Sequence, residues 1–441
     1  SSDDYLNKQV ERFWIQENAA ISKEDQVVMS VEDSIALKKL ETETKLVDGH
    51  YQVPMLWKKD VERLPNNIEL ARKRFRFLLK RLRSNPELYV NFKKVIEDYV
   101  RLGYARKLSH QEASTWKDKT WYLPIHPVFN IHKPGKVRIV NDAATMHEGV
   151  SLNNSLVTGP DLFNALVGVL MNFRIGEVAI VADIESMFHQ VRVNPDDADS
   201  LRFLWTDNID SNEEQYTMQM QVHIFGAKDS LTCAIHALHQ TARDNMQHFS
   251  PEAIQTVYKN FYVDDLLKSV DSSENAKKLV VEVTQLLKAS GFRLTKFVSN
   301  SSEVLKSIPS SEIAKNVSIN LDKNHEERAL GIAWDVVSDC FTFKFDIQDA
   351  KLTKRSILKV TSSIFDPLGF ITPFVVSAKM ILQQLWRKGY GWDEVIDNDI
   401  LKTWEKWKIN AKELCSIRLN RCYAASKGNR KVDKIELHIF C

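Results

Sequence analysis

The sequence predicts an α+β fold centred on a split β-α-β-β-α-β sheet of the ferredoxin-like kind. Three observations carry that prediction. Between residues 178 and 298, apolar runs of strand length alternate with helix-period segments in that order, once an excursion at 202–222 is set aside. Proline and glycine are sparse, 12 and 14 of 441 residues, so elements should be long and loops short. Apolar residues make up 44% and charged residues 27%, the balance of a chain that buries sizeable cores rather than staying disordered. The length leaves room for about two to four domains.

Charge is uneven along the chain. Residues 1–50 hold eleven acids against six Lys/Arg, whereas residues 58–107 hold fifteen Lys/Arg against six acids. The densest stretch is 72–83, where Phe75, Leu78, Leu79 and Leu82 recur at i, i+3, i+4 and i+7. That spacing predicts a basic amphipathic helix. Its polar face could be merely solvated or could meet phosphates, and the pattern leaves both open. Pro124, Pro127, Pro134 and Gly135 mark a turn region, and Val137–Val140 after it reads as a strand.

Val178–Ala182 reads as an apolar strand closing on Asp183. Arg202–Trp205 and Tyr216–Val222 read as a hairpin set outside the main order. Gly226 precedes a helix with apolar positions 231, 234, 235 and 238. Val257–Val263 and Leu266–Val270 flank Asp264-Asp265 as a tight hairpin. Asp271 and Glu274 have capping-box spacing. The helix after them aligns Ala276, Leu279, Val280, Val283, Leu286 and Leu287 and stops at Gly291. Phe292–Val298 is the last strand of the unit.

In such a sheet the first strand neighbours the central hairpin, so Asp183, Asp264 and Asp265 meet at one end. Three close carboxylates raise one another's pKa unless a cation neutralises them. Oxygen-only ligands with open positions suit Mg²⁺. Two such ions about 3.5–4 Å apart would activate a primer 3′-hydroxyl and stabilise leaving pyrophosphate.

At these residues the sequence resembles reverse transcriptases. Phe261-Tyr262-Val263-Asp264-Asp265 is similar to the family's YxDD motif, and Val181–Gln190, containing Asp183 and Phe188, to its first catalytic motif. The resemblance implies a right-hand polymerase with fingers, a ferredoxin-like palm and a thumb, and a partly helical C-terminal region. It implies that Asp183, Asp264, Asp265 and the carbonyl of Ile184 bind two Mg²⁺, for which Mn²⁺ can substitute. Phe188 would be the steric gate against a ribose 2′-hydroxyl. Phe225–Ser230 resembles the second palm motif, with Gly226 at the nucleotide; Phe225 stands for the usual Gln and Leu231 for the usual Pro, the latter bearing on how the helix begins. Lys133–Arg138 resembles the fingers hairpin, Lys133 and Arg138 gripping the triphosphate. Gly291–Lys296 resembles the next palm motif, with Lys296 a candidate proton donor to pyrophosphate. Leu330-Gly331-Ile332-Ala333-Trp334 resembles the primer grip.

The closest resemblance within that family is to the BEL/Pao retrotransposon lineage. It rests on Ser151–Leu156, Thr158–Leu162, Phe13-Trp14, Asp48–Tyr51, Phe292–Asn300 and Phe365–Gly369. The implied layout is a linker after a missing protease at 1–60, fingers leading into the palm at 61–175, palm at 176–340, thumb or connection helices at 341–430, and a truncated start of an RNase H-like domain at 431–441. The implied function is an RNA-directed and DNA-directed DNA polymerase. Its partners would be an RNA or DNA template with primer, dNTPs and other segments of the same polyprotein. The alternative is an inactive, domesticated or truncated nucleic-acid-binding remnant. No Asp-[Ser/Thr]-Gly loop exists for an aspartic protease, and neither protease nor RNase H activity is expected. Trp386, Trp392, Trp404 and Trp407 are expected to be packing residues.

No uncharged apolar run reaches 18 residues, so no membrane span or membrane partner is expected. The five cysteines, 233, 340, 415, 422 and 441, show neither a disulfide framework nor zinc spacing. That fits an intracellular, cytoplasmic setting, which the resemblance narrows to retrotransposon particles.

Overall fold

A computed structural model describes residues 3, 29–130, 133–210, 215–314, 326–329, 332–343, 352–364, 366–414 and 416–423. Residues 31–57, expected to be a linker, are built into the molecule. Ser30 caps helix α1 (Val31–Glu43) by accepting the Asp33 N–H, and Ala36 and Leu40, one turn apart, are buried. Strands β1 (Lys45–Val47) and β2 (His50–Val53) form the hairpin after it. Tyr51 and Val53 alternate inward and, with Leu56, join the core of the central sheet.

Helix α2 (Ile68–Arg83) buries Ala71, Phe75, Leu78, Leu79 and Leu82, the face its periodicity predicts. Asn85 caps α3 (Pro86–Arg101), and Pro86 supplies a first position preset to helical φ. Both helices share a second core with strand β3 (Ala105–Lys107) and with β4 (Ile125–Asn130) and β5 (Lys133–Asn141), which form a long antiparallel hairpin. Helix α4 (Leu166–Phe173) then leads into the palm.

The palm contains β6 (Val178–Ile184), which the short strand β7 (Arg192–Val193) leaves to pair with β2. Strands β8 (Arg202–Trp205) and β9 (Tyr216–Met220) form the expected excursion hairpin, with β3 against β9. Then come α5 (Ser230–Asp244), α6 (Pro251–Lys259), β10 (Phe261–Tyr262), β11 (Asp265–Val270), α7 (Ser273–Lys288) and β12 (Leu294–Ser299). The sheet order is β10-β11-β6-β12, the split ferredoxin-like order the sequence predicts.

Two local expectations are corrected. Residues 257–259 are helix, not strand. Ser250 caps α6, Pro251 starts it, and Ala253, Ile254 and Val257 form its buried face. The cap of α7 is Ser272, which accepts the Asn275 N–H, while Glu274 turns outward to Lys277. The buried face of α7 is the one read from the sequence.

Strands β13 (Glu326–Ala329), β14 (Ile332–Asp335) and β15 (Cys340–Thr342) form a meander, succeeded by helices α8 (Lys354–Ser363), α9 (Thr372–Arg387) and α10 (Asn398–Leu414). Trp404 stacks on Trp407 with ring centres 4.7 Å apart, and Trp392 meets Trp386 edge-on, so these four are packing residues as expected. Strand β16 (Leu419–Asn420) returns to β15 and fastens the C-terminal region to the palm. Phe13-Trp14, Phe365 and the 431–441 strand lie outside the described residues. Among the described residues no helix is long and apolar enough to cross a membrane.

Candidate active site

The register of the sheet builds the site. Strands β6 and β11 pair antiparallel with Asp265 opposite Asp183, and Tyr262 pairs with Asp265. Val263 and Asp264 are therefore the two residues of the turn. The Ile184 N–H donates to the Asp264 carbonyl at 2.8 Å, tying the turn to the end of β6. Val263 has φ +57°, in the left-handed region that β-branched residues avoid.

The carboxylates sit in an unfavourable field. Burial pushes Asp265 up to about 7, assisted by the charges of Asp264 and Asp183. Burial also raises Asp264, with Asp183 adding to it, while Lys296 and Arg138 pull it back. Lys296 lies where β12 shifts register between Thr295 and Val298, and its own φ is +56°. That bulge aims its ammonium at Asp183, 2.7 Å from Oδ1. Ionised, oxygen-only donors held this way are relieved by a hard divalent cation, so the residues fit one.

The gate candidate is placed by a second left-handed residue. Ser186, at φ +51°, turns the chain from β6 into the short 3₁₀ helix Met187–Gln190. Met187 points into the core; Phe188 is half-buried and meets Phe225 edge-on at 5.9 Å between ring centres. His189 fills a slot between Tyr99 and Tyr104, and Gln190 donates to the Tyr104 hydroxyl at 2.9 Å.

Gly226 has φ +111°, and a Cβ there would sit 2.9 Å from the Asn141 carbonyl oxygen, so both its conformation and its room require glycine. Sequence reasoning missed the residue that holds this loop. Asn153 donates from Nδ2 to the Gly226 carbonyl at 3.0 Å and accepts the Lys228 N–H at 2.9 Å. Leu231, where Pro is usual, leaves α5 regular from Ser230 and packs on the palm core. Arg138 is exposed on β5, and its charge reaches Asp264. The side chain of Lys133 lies outside the described residues, as do Leu330 and Gly331. Trp334 is fully buried, edge-on to Phe173 and donating to Asp339, so its side chain supports its strand from the core side.

Among the described residues, the trio whose donor atoms all lie within 4.8 Å of one another is a different one: His223, Asp229 and Cys233, all buried. Cysteine spacing gave no sign of it. These side chains address the segment after β2. His223 Nε2 lies 3.2 Å from the Val53 carbonyl, Cys233 donates to Pro54 at 3.7 Å, and Asp229 accepts the Leu56 N–H at 2.9 Å. Burial holds the His223 pKa down and the Asp229 pKa up. The trio thus pins residues 53–56 across the base of α5.

A family model described as reverse transcriptase (RNA-dependent DNA polymerase) matches residues 145–298. A second, described as a Pao retrotransposon-like RNaseH-like domain, matches residues 353–441, which include the expected thumb or connection helices and the C-terminal stretch beyond them. No curated protein matches. Among solved structures the chain is similar to a foamy viral protease-reverse transcriptase dRH in complex with double-stranded DNA, at 15% identity and TM-score 0.49, covering 75% of this chain and 49% of that one. It is also similar to the foamy viral protease-reverse transcriptase with an RNA/DNA hybrid (14%, TM-score 0.47, covering 74% and 37%) and with double-stranded DNA (15%, 0.47, covering 75% and 58%). The chain spans about half the length of the first of these.

Proposed function

Because the chain belongs to the reverse transcriptases of the BEL/Pao retrotransposon lineage, we propose that its palm is catalytically competent and copies an RNA or DNA template from a primer using dNTPs. One observation carries the reading: Asp265 stands opposite Asp183 in register, with Asp264 in the adjoining turn. Asp183, Asp264, Asp265 and the Ile184 carbonyl would hold two Mg²⁺, or Mn²⁺ in their place. Bound there, the ions supply charge neutralisation for the attacking 3′-hydroxyl and the departing pyrophosphate.

The chain's own residues do the positioning. Phe188, braced edge-on by Phe225, closes the space a 2′-hydroxyl would need. Gly226 lets backbone approach the nucleotide where a side chain would collide with Asn141. Lys133 and Arg138 reach the phosphates from the β4–β5 hairpin. Lys296 can donate a proton to pyrophosphate only after its ammonium leaves Asp183. Leu330 and Gly331 form the primer grip, with Trp334 as its buried support. The setting is a cytoplasmic retrotransposon particle, alongside other segments of the polyprotein.

The test is primer extension on poly(rA)/oligo(dT) with and without Mg²⁺. Metal-dependent dTTP incorporation, abolished by Asp264→Asn with duplex binding retained, is the expected result. Tight duplex binding without extension would instead identify an inactive remnant. Neither RNase H nor protease activity is part of the proposal. A 5′-labelled RNA template should stay full length, and metal-dependent shortening would show that the RNaseH-like segment cleaves.

A further inference from the structure

Strand β2 delivers one side chain to the palm from far upstream. His50 donates from Nδ1 to the Gln190 carbonyl at 2.8 Å, across 140 positions of sequence. Gln190 closes the short 3₁₀ helix that carries Phe188. The same imidazole lies against Gly291, where a Cβ would fall 2.2 Å from His50 Cε1 and 2.3 Å from Nδ1. Gly291, at φ +81°, stands between α7 and β12, the strand that bears Lys296. His50 is therefore wedged between the turn that carries Phe188 and the approach to β12.

The flanks of this wedge are fixed. Arg192 binds Asp48 at 2.9 Å, Gln52 and Val53 pair in parallel with Arg192 and Val193, and the Tyr51 hydroxyl donates to Asp244 at 2.6 Å. The turn it reaches is slight by comparison. It starts from left-handed Ser186, and its backbone bonds run from the His189 N–H to the Ser186 carbonyl at 2.8 Å and from the Val191 N–H to the Phe188 carbonyl at 3.2 Å. Short 3₁₀ turns have poor hydrogen-bond geometry of their own, so neighbours must hold them. The Gln190 side chain is tied to the Tyr104 hydroxyl at 2.9 Å and the Glu185 carbonyl at 3.3 Å. His50 completes that hold by fixing the Gln190 backbone. Phe225, the edge-on partner of Phe188, is itself 63% exposed, so little else on that side fixes the ring.

We propose that His50 is a positioning residue for nucleotide selection: it anchors the Gln190 end of the turn and so sets how far Phe188 stands toward the sugar. His50 touches no nucleotide itself and acts through the backbone of residues 187–190. This inference rests on the reading of Phe188 as the gate. It also gives Gly291 a second task beyond ending α7, because any larger residue there would displace the imidazole from Gln190.

The test reads sugar discrimination as the ratio of the UTP to the dTTP dissociation constant. It uses poly(rA)/oligo(dT) whose primer ends in a dideoxynucleotide, so no catalysis is needed. His50→Ala should lower the ratio roughly two- to tenfold, the factor one hydrogen bond commands. His50→Asn should restore it, because the Asn amide nitrogen stands as many bonds from Cα as Nδ1 does. Gly291→Ala should lower the ratio by driving the ring off Gln190, and adding His50→Ala to it should lower it no further. With Phe188→Val already present, His50→Ala should leave the ratio where that variant sets it. A merely structural role would weaken both nucleotides alike and lower the melting temperature, without moving the ratio. An unchanged ratio in His50→Ala, no rescue by His50→Asn, or an equal fall with and without Phe188 overturns the assignment. An unchanged ratio in Phe188→Val is a separate failure, which removes the gate on which the inference rests.

Discussion

Removing the Arg421 side chain should cost the palm about 3–5 kcal/mol, the usual penalty for breaking a buried charge pair. The guanidinium is fully buried, and all five of its N–H donors are used. Nε and Nη2 grip both Asp339 oxygens at 2.6 and 2.8 Å, and the other three bonds reach the carbonyls of Phe173, Gly176 and Glu177 at 2.6, 2.9 and 2.8 Å. Arg421→Ala therefore strands one carboxylate and three carbonyls in the stretch that feeds β6. Asp339 retains the Trp334 indole N–H and is 23% exposed, so water can reach part of the stranded charge. The lower end, about 3 kcal/mol, is expected on that account. In thermal unfolding this is a drop of roughly 6–12 °C. Asp339→Ala and the double variant complete a cycle, and the double loss should fall short of the summed single losses by about 1–3 kcal/mol. A single-variant loss below about 1 kcal/mol, or strict additivity, would refute the reasoning: β16 would then not be what holds the C-terminal region on the palm.

Other outcomes are expected of the site and its surroundings. Burial pushes the His236 pKa down to about 4, with Arg243 and His239 adding to it. A lowered histidine pKa means the stability it carries is complete above its ordinary 6.5 and is lost as pH falls from there toward 4, up to roughly 3 kcal/mol. His236→Leu should flatten the melting temperature between those limits, and an unchanged acid slope would show that other groups set it. Phe188→Val should admit ribonucleotides in single-nucleotide incorporation; unchanged sugar discrimination would remove the gate. Gly226→Ala, meeting both the positive φ and the Asn141 carbonyl, should lower extension at least about tenfold, and near-normal extension would mean the loop can yield. Lys296→Ala should reduce the Mg²⁺ concentration for half-maximal extension by up to roughly fivefold, because an exposed ion pair no longer competes for Asp183. A higher Mg²⁺ requirement would contradict that competition.

The periodic elements were legible in the sequence. The inner faces of α2 and α7, the strand ending on Asp183 and the sheet order all follow from hydrophobic spacing, which reports one buried face directly. Residues 31–57 were not legible as core. Their inward positions are few and belong to a short helix and to the short strand β2, whose neighbour β7 lies more than a hundred residues away. The misread start of β10 has a similar origin: residues 257–263 are apolar enough for a strand, and only the Ser250–Pro251 cap shows that a helix runs into them. Asn153 and the His223–Asp229–Cys233 trio depend on contacts across 73 to 179 positions, and no local pattern encodes those.

The departures from local rules that matter most lie in the site itself. Among the described residues, six non-glycine positions have positive φ: Asp48, Glu148, Ser186, Val263, Lys296 and Asp339. Three of these surround the carboxylates. Ser186 turns Phe188 toward Phe225, Val263 forms the turn with Asp264, and Lys296 directs an ammonium onto Asp183. Each left-handed residue costs about 1–2 kcal/mol, with β-branched Val263 the least suited to it. Such geometry persists only where surrounding structure over-determines it. Here the over-determination is visible: six register pairs between β6 and β11, four between β6 and β12, and the Ile184–Asp264 bond lock the strand ends from which all three turns depart. Strain at these points and regularity beneath them are two sides of one arrangement. A Val263→Gly change separates them: it should relieve the turn without lowering the melting temperature, yet slow extension, because the freed turn no longer holds Asp264 against the end of β6. A marked fall in melting temperature would mean that Val263 is retained for packing instead.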